Sequence, residues 1–94
     1  MISSIQWHSA TATLPGTGTG GAMRHVAIPA GTIAGRHEHN HEQFLFVASG
    51  GGQLECEGGP IVLAPGVALH LPAGSWHGAT FTSDTVLIEF NVGA

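Results

Sequence analysis

Glycine and proline interrupt this chain so often that only short elements can form. Fifteen glycines and five prolines are spread over 94 residues, and no segment between them keeps a helical apolar period for three turns. The segments read instead as strands, at 5–8, 22–28, 32–39, 43–48, 53–57, 61–63, 67–71, 76–82 and 85–91. Turn chemistry separates them: Pro29-Ala30-Gly31, Ser49-Gly50-Gly51-Gly52, Ala64-Pro65-Gly66 and Pro72-Ala73-Gly74 all carry residues that preset or permit turn dihedrals. Regularly spaced short strands with frequent turns predict an all-β sandwich or barrel. Residues 11–21, rich in Thr and Gly, read as a loop or arm, part of which can add an edge strand to a partner subunit.

A chain of 94 residues supports one core, so residues 1–94 are expected to form a single domain. Charged residues make up only 9% of it. Few charges then keep copies apart, and a small apolar chain gains by pairing with itself, so a homodimer is expected. Arg24 and Arg36 are the only basic residues beside six acids, which leaves no cationic stripe for a phosphate backbone and excludes nucleic acid as a partner. Cys56 has no second cysteine to pair with, the N-terminus shows no signal-peptide pattern, and no apolar run spans a bilayer. The expected location is the cytoplasm, with no membrane partner.

The chain carries seven histidines against two Lys and Arg together. Histidine is the commonest metal ligand, so their spacing matters. In an extended strand His37 and His39 face the same way about 6.6 Å apart, near enough for two imidazoles to converge on one ion. Gln43 keeps that parity, and its amide oxygen can join them if the chain turns through Asn40 and His41. A second segment, 66–77, runs through a strand and the turn Pro72-Ala73-Gly74 to His77, which a barrel can bring opposite the first pair. Three imidazoles and one amide oxygen suit a divalent transition ion such as zinc, nickel, iron or manganese better than calcium or magnesium.

These two segments resemble the paired motifs of the cupin superfamily. The first family motif reads Gly, five residues, His-x-His, three or four residues, Glu, six residues, Gly; here Gly31, His37, His39, position 43 and Gly50 fall in that register, with Gln43 in place of the Glu. The second reads Gly, five residues, Pro-x-Gly, two residues, His, three residues, Asn; Gly66, Pro72, Gly74 and His77 match, and Phe81 replaces the Asn. The likeness covers half the chain, from Gly31 to His77, and fifteen residues separate the motifs, the short spacing of the family. It implies a small double-stranded β-helix, or jelly-roll, with one metal ion held by His37, His39, Gln43 and His77. Glu42 is the rival carboxylate, but its parity and the spacing to Gly50 select Gln43. An amide in place of a carboxylate leaves more positive charge on the site, which favours an anionic ligand.

His-x-His followed by Glu-Gln is similar to small cupins that open the ring of unsaturated uronates. That resemblance implies isomerase or lyase chemistry on a small sugar-acid-like molecule, with His70, His41 or Glu89 moving the proton. An iron-, nickel- or copper-dependent dioxygenase and a non-enzymatic binding or sensing barrel are the other readings, since one fold hosts many functions. Strand parity alone leaves two matters open: whether His70 or the set Val67, Leu69 and Leu71 faces inward, and whether Glu89 is a pocket acid or a surface charge. Arg24 reads as an exposed strand charge or as a clamp for an anion.

Overall fold

The structure, a computed structural model, describes residues 17, 18 and 20–92. The expected strand at 5–8, His8 and most of the Thr/Gly-rich stretch lie outside them. Nine strands are seen among the described residues: β1 (Thr17–Gly18), β2 (Gly21–Ile28), β3 (Ile33–Glu38), β4 (Glu42–Ser49), β5 (Gly52–Cys56), β6 (Ile61–Leu63), β7 (Ala68–Leu71), β8 (Trp76–Phe81) and β9 (Thr85–Val92). There is no helix among them, and so none long and apolar enough to cross a membrane. Within the described part of that stretch, Thr17 pairs with Ala22 and Gly18 with Gly21, so these residues form a short hairpin on the chain's own β2.

The strands form two antiparallel sheets, one in the order β1-β2-β9-β4-β7 and the other β3-β8-β5-β6. This is a jelly-roll. The turns are closed as their chemistry requires. In Ala64-Pro65-Gly66-Val67 the Val67 N–H donates to the Ala64 carbonyl at 3.0 Å, with Gly66 at φ +90°. Proline at the second position and glycine at the third are what a turn with positive φ at its third residue selects.

Alternation gives every strand one inward row, and along these rows the chemistry changes from one end of the barrel to the other. On β4 the row is Gln43, Leu45, Val47; on β8 it is His77, Ala79, Phe81; on β9 it is Leu87, Glu89, Asn91. The apolar ends of these rows meet Leu54 and Leu63 in the buried core, worth about 1.5–3 kcal/mol for each large side chain withdrawn from water. The polar ends gather at the opposite mouth, so the same period of two builds both core and site.

Two residues of β3 oppose one of β8: Ala34 pairs with Ala79 and His37 with His77, leaving Gly35 and Arg36 against Gly78. This is a β-bulge. It lets Ala34 and His37, an odd number of residues apart, both face the interior. Gly78 accommodates the bulge because a Cβ there would lie 3.0 Å from the Ala34 carbonyl oxygen and 3.2 Å from the Arg36 nitrogen. Arg36 turns outward and lays its guanidinium over the Trp76 ring, 4.0 Å from its centroid.

Candidate metal centre

Three imidazoles from two segments converge inside the barrel mouth. His37 stands on β3, His39 one residue beyond it, and His77 on β8 directly across from His37. One nitrogen of each lies within 4.8 Å of the others. Ring centroids are 4.9 Å apart for His37 and His39, 4.3 Å for His37 and His77, and 5.4 Å for His39 and His77.

Backbone atoms aim these rings. His37 Nδ1 lies 2.7 Å from the Gly35 carbonyl, inside the bulge, and a carbonyl only accepts. Nδ1 therefore carries the proton, and the Nε2 lone pair is left for a ligand. The Pro72–Ser75 turn clasps the other motif: Ser75 N–H closes it on the Pro72 carbonyl at 3.1 Å, while Gly74, at φ +79°, donates its N–H to the His39 carbonyl at 2.7 Å.

The donor set fits a divalent transition ion. His77 is 7% exposed, and its Nδ1 is a buried side-chain polar atom with no hydrogen-bond partner. Such an atom marks a position that the chain itself leaves incomplete. Gln43, 5% exposed, lines the same cavity as the three histidines. His37, His39, Gln43 and His77 would hold the ion, the three nitrogens and an amide oxygen matching zinc, nickel, iron or manganese.

Burial holds His39 and His77 below the ordinary histidine value of 6.5. Neighbouring imidazoles push the same way, His37 and His41 on His39 and His37 and His39 on His77, against an opposing pull from Glu89. Both rings thus favour the neutral form, with its lone pair available, more than a free histidine does. Below pH 6.5 the unfolded chain takes up protons that these two folded rings refuse. Their contribution to stability is therefore complete above that value and lost as the pH falls. The metal-free protein is expected to melt at lower temperature at pH 5 than at pH 7.5, and an unchanged melting temperature would contradict the assignment.

The remaining candidate residues divide. His41 and Glu89 line the cavity with the metal-site residues. His41 Nε2 lies 3.2 Å from Asn91 Oδ1, and Glu89 meets Arg24 at 3.3 Å. His70 does not join them. It is exposed on the outer side of β7, stacked on Phe44 and bonded through Nε2 to Glu42 at 2.5 Å, because β7 turns Leu69 and Leu71 inward instead. The proton-transfer role considered for His70 is corrected accordingly: it has no access to the cavity. Glu42 lies with it on the outside.

One cavity residue escaped the sequence reading as a site component, and Arg24, read as an exposed strand charge or an anion clamp, is placed at the mouth. Asn91 accepts a hydrogen bond from Gln43 and donates one to Glu89; its parity with Glu89 on β9 was the available signal. Arg24 lines the cavity mouth although its side chain is 64% exposed, and its register opposite Glu89 becomes visible only once β2 and β9 are paired. The cavity has a volume of about 320 Å³, room for a small polar molecule.

Comparison with known proteins agrees with this architecture. No curated protein sequence matches the chain. Among solved structures, KdgF from Halomonas sp. aligns over 93% of this chain and 87% of its own, with 25% identity and a TM-score of 0.72. A protein from Ralstonia eutropha JMP134, provisionally named a mannose-6-phosphate isomerase, aligns over 83% of this chain and 79% of its own, with 26% identity and a TM-score of 0.73. The DMSP lyase DddQ from Ruegeria pomeroyi DSS-3 shares 26% identity over 79% of this chain, which spans 39% of that protein, with a TM-score of 0.69. The cupin domain model matches residues 24–92, taking in every residue of the candidate centre, and the chain belongs to the cupin family.

Proposed function

We propose that this cupin is a metal-dependent enzyme of isomerase or lyase type that acts on a small sugar-acid-like substrate at a three-histidine, one-glutamine centre. The observation that carries this reading is the pairing, in one cavity, of the imidazole cluster with Arg24 and Glu89. Arg24 and Arg36 are the only Lys or Arg residues in the chain, and Arg36 is engaged with Trp76 outside. The single fixed cation facing the cavity thus stands at its mouth, where a substrate carboxylate enters. Likeness to a protein named as an isomerase and to one named as a lyase supports the same class of chemistry.

A bound divalent ion would supply Lewis-acid polarisation of a substrate oxygen. The chain supplies the rest. One Arg24 nitrogen rests on Glu89, which leaves further donors of its planar fork for the carboxylate of the substrate. The Glu89 carboxylate faces the same space and can take a proton from the substrate and return it at a neighbouring atom. His41, tied to Asn91 through Nε2, keeps Nδ1 as its basic nitrogen. Beneath them Val47, Phe81 and Leu87 form an apolar floor that excludes water from the reacting end.

The test is turnover of an unsaturated uronate by zinc-loaded protein under argon. Activity is expected there, and replacing Arg24 with leucine should raise KM about tenfold or more, the loss of one charge-assisted contact, with a smaller change in kcat. A requirement for dioxygen or for a redox-active ion would overturn the proposal.

A further inference from the structure

The amide of Gln43 is useful to a cation only one way round. Its oxygen ligates, whereas its nitrogen is a donor with no lone pair to offer. We infer that Asn91 is the positioning residue that turns the Gln43 oxygen toward the histidine cluster, at the end of a one-directional relay that starts at Arg24. This rests on the metal-site reading above and adds to it a residue that does not touch the ion.

The direction of the relay follows from which groups can donate. Arg24 Nη1 donates to Glu89 Oε1 at 3.3 Å. The same oxygen lies 3.2 Å from Asn91 Nδ2, and a carboxylate only accepts, so Asn91 presents its NH2 end to Glu89. Its Oδ1 is thereby committed to the other side. Gln43 Nε2 lies 3.0 Å from that oxygen and must donate to it. With its nitrogen held against β9, the Gln43 amide keeps its oxygen free. His41 is compatible with this polarity, since its Nε2 lies 3.2 Å from Asn91 Oδ1 and donates to it in the Nε2–H tautomer.

Sheet register builds the relay into the fold. Gln43 is the cross-strand partner of Asn91, and Arg24 is the partner of Glu89, so the path crosses three adjacent strands without a loop. Gln43 and Asn91 are 5% and 8% exposed, so water competes weakly for their bonds.

The inference is tested by zinc(II) affinity, measured in competition with a chromogenic chelator, for the wild type, His77→Ala, Gln43→Ala, Asn91→Leu and the Gln43→Ala/Asn91→Leu double variant. Metal-free melting curves check that each folds. Asn91→Leu is expected to weaken zinc about tenfold, the scale of losing a partner that orients a ligand, while the double variant binds no more weakly than Gln43→Ala alone. Equal losses from Asn91→Leu in both backgrounds would mean that Asn91 acts through the fold, and would overturn the inference, as would no loss at all. If His77→Ala also bound zinc like the wild type, the metal centre itself would be wrong; a loss confined to His77→Ala and Gln43→Ala would sink the relay alone. Should Asn91→Leu not fold, Glu89→Leu serves instead, because it removes the acceptor that directs Asn91: a loss of about threefold that vanishes in the Gln43→Ala background supports the relay, and any other pattern refutes it.

Discussion

Replacing His77 with alanine is expected to lower affinity for a divalent transition ion by at least about a hundredfold, since partners that merely orient a ligand are worth ten- to a hundredfold. In the proposed centre His77 joins the two halves: His37 and His39 come from one segment, and His77 brings the third imidazole to them from β8. The variant should keep its fold, because the ring stands at the polar end of its strand, away from the core. The clearest readout is thermal. An ion present at a hundred times its dissociation constant adds about 2.7 kcal/mol to the stability of a protein that binds it only when folded. That rise in melting temperature should be seen in the wild type and be absent from His77→Ala. Equal ion content in the two purified proteins would show that the centre lies elsewhere.

Phe81→Ala is expected to have the largest effect on stability, a loss of about 3–5 kcal/mol. Phe81 is 4% exposed at the core end of β8, in one cluster with Val47, Leu54 and Leu87. Removing the ring would leave a void lined by side chains from both sheets. A domain of this size has a total stability on the order of 5–15 kcal/mol, so the melting temperature should fall by about 15 °C or more. Chemical denaturation of the metal-free variant measures the effect directly, and a loss below about 1 kcal/mol would place Phe81 outside the core.

Much of this arrangement is legible in the chain because its punctuation is so dense. Pro72 and Gly74 mark where β7 ends, and His77 follows at the first inward position of β8. Alternation likewise places His37 and His39 together without any knowledge of the fold. The reading fails where one strand's face depends on another's register. His70 belongs outside because Leu71 shares the inward side with its partner Gln43, a pairing that the local pattern of β7 does not reveal. The bulge at Gly35 and Arg36 was invisible for the same reason: two residues oppose one only after β3 and β8 are aligned. Arg24 and Asn91 entered the site through long-range pairing with β9 and β4, which separates partners by 65 and 48 residues.

The surplus residue in β3 also separates two demands that a regular strand would force together. Removing Gly35 would restore simple alternation from Ala34 to His37 and keep both ligands pointing inward, so the extra length is not needed to bring the imidazoles to the mouth. What it provides is the Gly35 carbonyl, 2.7 Å from Nδ1 of the His37 ring. The barrel thereby sets the proton distribution of its first ligand from its own main chain, leaving the surrounding side chains free to change with the molecule that is bound.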